Sequence, residues 1–245
     1  MLGQIPQDNT KSKNKRTAPL EANDTRFAFT EAYRNLRSSL LFMAVEGVRP
    51  RTIVVTSAIP GEGKSTVATN LAITMAQSGS RVLLVDADMR KGLAHETFDL
   101  LDQPGLSDVL RQEITWAQAI QATSIPNLSL LAHGSHPKNP GELILNRSEH
   151  FLREVYDQFD YVLLDSAPIL AADDTACLAP KADGVLFVIR AAYTSARLSH
   201  NALDALYQRQ VNVLGLVFNS IETSSREYYY FKYPEYYSND KVAQK

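Results

Sequence analysis

The sequence predicts a doubly wound α/β fold, with a mainly parallel sheet flanked by helices. Six short aliphatic runs are separated by segments long enough for crossover helices. Each run is nearly all apolar rather than alternating, which is typical of strands buried on both faces of a parallel sheet. Because strand and helix alternate throughout and no internal repeat is found, the pattern indicates one domain wound in this way.

The elements follow one another in chain order. An opening helix is predicted with Thr30 as its N-cap, Glu31 near its positive N-terminal end and Gly47 at its close. The apolar stripe of this helix is Tyr33, Leu36 and Leu40. The predicted strands are TIVVTS (52–57), VLLVD (82–86), LSLLA (128–132), YVLLD (161–165), GVLFVIR (184–190) and VLGLVFN (213–219). The predicted crossover helices are 64–78, 141–159, 173–180 and 195–209.

The two ends of the chain differ from the centre in composition. Residues 1–25 are polar and contain KSKNKR, which predicts a flexible basic arm that is either a solvated linker or a membrane-surface contact. Residues 26–224 form the predicted P-loop domain. Residues 225–245 have no helical or strand pattern and are predicted to be a mobile tail, and this tail carries six of the eleven tyrosines.

Bulk composition excludes several classes of protein. A net charge of −2 favours neither nucleic acid nor anionic membrane as a partner, so we expect no nucleic-acid ligand. The single cysteine, Cys177, excludes an internal disulfide and fits a reducing compartment. No apolar run approaches the length of a bilayer span and no signal peptide is recognisable. These features lead us to expect a cytoplasmic protein.

The stretch VVTSAIPGEGKSTVATNLA predicts a phosphate-binding loop between a strand and a helix. Gly61 and Gly63 allow backbone N–H groups to approach an anion, and the helix N-terminus adds its dipole. Lys64 is placed to reach the β- and γ-phosphates and Ser65 to bind Mg²⁺. The predicted nucleotide-binding residues of the loop are Gly61, Glu62, Gly63, Lys64, Ser65 and Thr66. The usual pattern begins with glycine, where this chain has Ala58.

Three aspartates lie where predicted strands end. Asp86 and Asp88 follow one strand, and Asp165 ends another. Ligands of doubly wound sheets bind at the carboxyl ends of strands, so the three carboxylates can converge on the phosphate loop. Mg²⁺ takes a few carboxylates together with phosphate and water. For each aspartate taken alone, a helix cap is the alternative interpretation.

Together, IPGEGKST, VLLVDADMRKG and YVLLDSAPIL resemble the ATP-site motifs of the bacterial tyrosine kinases, which belong to the wider family of partition and septum-placement P-loop ATPases. Partition ATPases carry a lysine early in the loop, where this chain has Ile59, and this favours the kinase branch. The family usually has two prolines after the last aspartate, where this chain has Ala167 and Pro168.

The resemblance implies roles for particular residues. It implies ATP and Mg²⁺ as cofactors, with Lys64, Asp86 and Asp88 as catalytic residues and Ser65, Asp86 and Asp165 as metal ligands. Asn219 matches a family position that contacts adenine, although a strand-end turn residue is the alternative. Glu31, Arg34 and Arg37 match the family's E-x-x-R-x-x-R self-association motif. Their spacing alone equally fits a solvated face with an internal Glu31–Arg34 pair.

The resemblance also implies a function and partners. The activity would be tyrosine autophosphorylation of a neighbouring subunit's tail, regulating surface polysaccharide synthesis and export at the inner face of the cell membrane. The modified residues would be Tyr228, Tyr229, Tyr230, Tyr233, Tyr236 and Tyr237. The implied partners are a homo-oligomeric ring such as an octamer, a membrane activator or co-polymerase domain and a cognate tyrosine phosphatase. LGQIP (2–6) resembles the segment after the second membrane helix in forms that fuse activator and kinase.

A nucleotide-dependent switch is the alternative function. A partition-type ATPase would use hydrolysis to position partners without phosphorylating protein, and the tyrosine-rich tail would then be an aromatic surface.

Overall fold

The fold is known from a computed structural model that describes residues 1–8, 19–20, 26–43 and 49–222. Within these residues one eight-stranded sheet runs through the molecule in the order β1-β8-β7-β2-β6-β3-β5-β4. Its strands are β1 (Gly3–Pro6), β2 (Thr52–Ser57), β3 (Val82–Asp86), β4 (Gln121–Ala122), β5 (Leu128–Leu131), β6 (Tyr161–Asp165), β7 (Gly184–Arg190) and β8 (Val213–Ile221). All neighbouring pairs are parallel except β4 with β5.

Helices connect the strands on both faces of the sheet. They are α1 (Phe27–Leu41), α2 (Lys64–Gln77), α3 (Ala94–Thr97), α4 (Leu106–Leu110), α5 (Trp116–Ala119), α6 (Pro140–Tyr156), α7 (Asp174–Leu178) and α8 (Ala196–Tyr207), with a 3-10 turn at Ala179–Lys181. None of these helices is long and apolar enough to cross a lipid bilayer.

The sheet separates two apolar cores, which explains why the middle of each inner strand is apolar on both faces. In β2, Ile53 and Val55 pack into the core that α1 and α2 cover. Val54 between them faces the opposite core, which α6 and α8 cover. Since alternate side chains enter different cores, both faces of the strand are apolar at its centre, and its polar residues lie at its two ends.

The register of the central strands brings the predicted site together. Strand β2 lies between β7 and β6, and β3 follows β6. Asp86 at the end of β3 is in register with Asp165 at the end of β6, and Val55 of β2 is in register with the same Asp165. The carboxyl ends of three neighbouring strands therefore meet beside the loop that follows β2.

The doubly wound fold and the six predicted strands are confirmed, and the crossover helices differ only at their ends. The opening helix is placed differently from the prediction. It begins at Phe27, so Thr30 is an interior residue whose N–H donates to the Arg26 carbonyl at 2.9 Å. Glu31 consequently lies beyond the first turn. The predicted stripe of Tyr33, Leu36 and Leu40 is buried, whereas Gly47 lies outside the described residues.

The predicted flexible arm is wrong for part of its length. Residues 3–6 form β1, an edge strand parallel to β8, and Ile5 is fully buried. Leu20 is also buried, and its N–H donates to Asn70 Oδ1 of α2 at 2.8 Å. The KSKNKR segment lies outside the described residues. The domain thus begins well before residue 26, because residues 3–6 complete one edge of its sheet.

Candidate nucleotide and metal site

The loop between β2 and α2 has the backbone that a phosphate cradle requires. Gly61 and Gly63 both have φ of +88°, a conformation that side chains disfavour. A Cβ at Gly63 would also lie 2.1 Å from Asn219 Nδ2. Ala58, at the position where the usual pattern has glycine, is buried and does not have a positive φ. The departure from the pattern at Ala58 therefore costs the loop no strain.

Hydrogen bonds of the buried residue Glu62 stabilise this loop. Its side chain is fully buried, and its carboxylate accepts hydrogen bonds from the Ile59 N–H at 2.7 Å and from Thr194 Oγ1. Its carbonyl accepts a hydrogen bond from Asn219 Nδ2 at 2.9 Å. The carboxylate of Glu62 thus faces into the protein, and only its backbone is left to meet a nucleotide. Asn219 is tied to the loop and is more than a strand-end turn residue.

Two residues that the sequence did not single out hold the outside of the loop. Arg190 Nη1 donates to the Gly61 carbonyl at 3.0 Å, and the Tyr193 hydroxyl donates to the Pro60 carbonyl at 3.2 Å. The Arg190 guanidinium lies over the Tyr193 ring, 5.0 Å from its centroid. Arg190 is the last residue of β7 and Tyr193 follows it, and β7 neighbours β2 in the sheet. Because the phosphate loop follows β2, residues at the end of the neighbouring strand β7 can be expected to lie near that loop.

Asp86, Asp88 and Asp165 form an acidic cluster, and Lys64, the first residue of α2, contacts two of its carboxylates. Its ammonium is 3.2 Å from Asp88 Oδ2, 3.4 Å from Asp165 Oδ1 and 3.2 Å from Ser65 Oγ. Burial alone would lower the pKa of Lys64, but the carboxylates of Asp165 and Asp88 outweigh it and hold that pKa above its usual value. The side chain therefore remains a cation in the folded protein.

Asp86 is the most constrained carboxylate of the site. It is fully buried; Oδ2 accepts the Ala94 N–H at 3.0 Å, while Oδ1 has no hydrogen-bond partner among the described residues. Burial and the nearby charge of Asp165 raise the pKa of Asp86 to about 8. A Cβ at Gly92 would lie 2.4 Å from this carboxyl group, so the loop closes on Asp86 only because residue 92 is glycine.

These residues fit a bound Mg²⁺. The unpartnered oxygen of Asp86 and the raised pKa values of Asp86 and Asp165 both indicate a place where a cation would be stabilised. Among the described residues, no group of three or more acidic, histidine or cysteine side chains is arranged to hold a metal alone. Mg²⁺ requires only one or two carboxylates when phosphate and water supply its other ligands.

An ion pair fixes the loop that follows β3. The Arg90 guanidinium contacts both carboxylate oxygens of Asp174 at 2.8 and 3.0 Å, and Asp174 is buried at the start of α7. Within the loop, the Lys91 N–H donates to Asp88 Oδ1 at 3.1 Å. The pair thus joins the Asp86–Asp88 loop to the segment after Asp165. The position of Arg90 within VLLVDADMRKG does not by itself predict this role.

The remaining predicted residues lie away from this cluster. Arg34 pairs with Glu31 on the exposed side of α1, as the solvated-face alternative expects. Arg37 instead donates to the Thr74 carbonyl of α2 at 3.2 Å. The six predicted phosphorylation sites of the tail lie outside the described residues.

Comparison with known proteins identifies the family. Residues 50–208 match the model of the AAA domain family. The chain is 36% identical over 217 residues to the tyrosine-protein kinase YwqD of Bacillus subtilis, covering 88% of this chain and 90% of YwqD. It is 39% identical over 201 residues to the putative tyrosine-protein kinase EpsB of Ralstonia solanacearum, covering 82% of this chain and 27% of EpsB. The chain thus spans about a quarter of the length of EpsB.

Structural similarity agrees with the sequence matches. The kinase domain of the Escherichia coli tyrosine kinase ETK superposes with a TM-score of 0.80 at 29% identity, covering 91% of each chain. The chain therefore belongs to the bacterial tyrosine-protein kinase family of P-loop ATPases.

Proposed function

We propose that the chain is an ATP-dependent protein-tyrosine kinase that phosphorylates the C-terminal tyrosine cluster of a neighbouring copy. The observation that carries the proposal is the position of Lys64. Its ammonium lies between Asp88 and Asp165, and its backbone directly follows the positive-φ Gly63 at the N-terminus of α2. Family membership supports the assignment of this arrangement to phosphoryl transfer.

The loop would bind the phosphates of ATP. Backbone N–H groups around Gly61 and Gly63, together with the N-terminus of α2, supply partial positive charge to an anion. Lys64 adds a full charge that can neutralise the β- and γ-phosphates. Phosphoryl transfer depends mostly on such positioning and charge neutralisation. Asn219, held against the loop, would lie close to the base.

The residues around Lys64 would also hold the metal. Ser65, Asp86 and Asp165 are the proposed ligands, with the unpartnered oxygen of Asp86 available for coordination. When bound, Mg²⁺ would stabilise negative charge on the phosphoryl group during transfer.

An aspartate would accept the proton of the attacking tyrosine. The phenol has an ordinary pKa near 10, so it is a weak nucleophile at neutral pH without a base. In the metal-free protein Asp86 already holds a proton near pH 7, because its pKa is about 8. Asp88 is therefore the better candidate for the base, although both carboxylates lie at the same strand end.

The biological setting of this activity is also proposed. The chain would assemble as a homo-oligomeric ring such as an octamer, in which each tail reaches a neighbour's site. It would act in the cytoplasm at the inner face of the cell membrane. A membrane co-polymerase domain would activate it, and a tyrosine phosphatase would remove the phosphates that it adds. The controlled process would be surface polysaccharide synthesis and export. The family relationship supports this setting.

Incubation with ATP and Mg²⁺, followed by detection with an anti-phosphotyrosine antibody, tests the activity. The parent protein should accumulate phosphotyrosine. Lys64→Met should lower the rate by a factor of about 100 or more, because it removes the positioned charge that stabilises the transition state. Lys138→Met, which changes an exposed lysine elsewhere, is the matched control and should remain active. ATP hydrolysis without phosphotyrosine would contradict the proposal and favour a partition-type switch.

A further inference from the structure

A cavity of about 200 Å³ opens beside the phosphate loop. It is bounded by Ser65 and Thr66 from the first turn of α2 and by Lys91, Leu93 and Ala94 from the loop after β3, with Pro19 at its side. A dry cavity of about 150 Å³ in another protein is large enough to admit benzene. The cavity beside Ser65 can therefore hold one aromatic ring between Leu93, Ala94 and Pro19.

The cavity wall is attached directly to the acidic cluster. The Lys91 N–H donates to Asp88 Oδ1 at 3.1 Å, and the Ala94 N–H donates to Asp86 Oδ2 at 3.0 Å. Ser65 on the opposite wall lies 3.2 Å from the Lys64 ammonium. The cavity therefore adjoins the carboxylates and the lysine that would handle the transferring phosphate, although these three residues do not line it.

Lys91 supplies a cation at this opening. Its side chain is exposed, and it forms no ion pair within the described part of the chain. The carboxylates of Asp86 and Asp88 lie deeper and would repel an anion. The arrangement therefore suits a ligand with a neutral polar ring that enters first and a negative charge that stays outside.

The tail sequence contains two such ligands. Glu227 immediately precedes Tyr228, and Glu235 immediately precedes Tyr236. The other four tail tyrosines follow either a tyrosine or, at Tyr233, a lysine. Each glutamate therefore opens a short run of tyrosines.

We propose that this cavity receives the acceptor tyrosine and that Lys91 selects tyrosines directly preceded by glutamate. The proposal rests on the proposed kinase function and names the class of peptide that the site prefers. In the reaction the phenolic oxygen forms a bond to the γ-phosphorus of ATP while the bond from that phosphorus to the bridging oxygen breaks. ADP leaves with that electron pair, and the phenolic proton passes to the carboxylate of Asp88.

Synthetic peptides test the preference with the full chain as the enzyme. The peptides span residues 224–233 with Tyr229, Tyr230 and Tyr233 changed to phenylalanine, and carry glutamate, glutamine or lysine at position 227. The parent should phosphorylate the glutamate peptide with a kcat/KM about three- to fivefold above that of the glutamine peptide, the range that one exposed ion pair allows. The lysine peptide should be the poorest. Because this series uses the unaltered protein, it does not depend on the folding of any variant.

Reversal of the charge at residue 91 of the enzyme is the second test. Lys91→Glu should favour the lysine peptide over the glutamate peptide, whereas Lys138→Glu should keep the parent's order. The ranking of the three peptides is compared within each protein, so a change in the overall rate of a variant does not alter this readout. A Lys91→Glu protein that still prefers glutamate, or a parent that ranks the three peptides equally, would overturn the selection by Lys91.

The order of modification in the intact protein gives a third readout. Mass spectrometry at early times should find phosphate first on Tyr228 and Tyr236, and Lys91→Glu should abolish that order. Early phosphate on Tyr233 instead would contradict the proposal. If the parent phosphorylates neither its tail nor any peptide while it hydrolyses ATP, the kinase function itself fails. If it phosphorylates all peptides without preference, only the role of Lys91 fails.

Discussion

Asp86 links the chemistry of the site to the stability of the fold. Its pKa of about 8 in the folded protein lies above the ordinary value near 4, so the fold binds the proton of this carboxyl group more tightly than the unfolded chain does. The stability that this proton contributes is fully present below about pH 4. It is lost as the pH rises through 8, where the buried carboxylate must ionise.

Asp86→Asn should consequently stabilise the metal-free protein at alkaline pH. Asparagine cannot ionise, and its side-chain oxygen can still accept the Ala94 N–H. In EDTA at pH 8 we expect the variant to melt several degrees above the parent, with the difference shrinking toward pH 4. Calorimetry across this range measures the effect, and Asp157→Asn, an exposed residue, is the control. A pH-independent difference would contradict the assignment of Asp86 as the titrating group.

At the scale of single elements, the end of β8 couples the sheet to the phosphate loop. Asn219 donates a hydrogen bond to the Glu62 carbonyl there, and Asn212, just before β8 begins, donates one to the Asp183 carbonyl at 3.0 Å. The two contacts are chemically alike but lie at opposite ends of the strand. They therefore form a matched pair for separating stability from nucleotide binding.

Asn219→Ala should weaken ATP binding by about fivefold, because one hydrogen bond that positions the loop contributes about 1 kcal/mol. Asn212→Ala should leave the ATP affinity unchanged. Titration calorimetry measures both variants. Equal affinity losses in the two would show that Asn219 acts only through the overall stability of the sheet.

Helix α1 offers a second comparison between like contacts. Arg34 pairs with Glu31 on α1, and Arg153 pairs with Glu149 on α6; both pairs are exposed. If the surface of α1 that carries Glu31 and Arg34 is an interface, Arg34→Glu introduces repulsion between copies in a symmetric assembly. The variant should be monomeric by light scattering at concentrations where the parent associates, whereas Arg153→Glu should associate normally. An unchanged mass for Arg34→Glu would leave α1 as a solvated face.

At the scale of the whole molecule, the tail is expected to control assembly. Each phosphate adds about −1.5 to −2 charges at pH 7, and several would repel a site that already contains three aspartates. The dephosphorylated protein should be oligomeric and the multiply phosphorylated protein monomeric, as measured by light scattering before and after phosphatase treatment. Truncation after Ser225 should block self-phosphorylation and spare ATP binding. Phosphotyrosine forming at the parent's rate in the truncated protein would exclude the tail as the target.

The central strands could be predicted from sequence because each contributes side chains to two cores and is therefore apolar along most of its length. Strand β1 could not, since only Ile5 of its four residues is fully buried and its partner β8 lies at the far end of the chain. The loop glycines, Lys64 and the aspartates follow motifs with fixed spacing. Arg190 and Tyr193 reach the phosphate loop from the end of β7, and Asp174 holds Arg90 from the start of α7, so their contacts depend on strand order. That order cannot be read from local patterns.

The pairing of β1 with β8 has a consequence for how the protein is made. Residues 213–221 are translated roughly 200 residues after residues 3–6, which at about 5–20 residues per second means a delay of about 10–40 s. Through that interval the first strand has no partner in the sheet to which it will belong. Closure of this edge is thus a late event of biosynthesis, and it awaits the same strand that presents Asn219 to the phosphate loop.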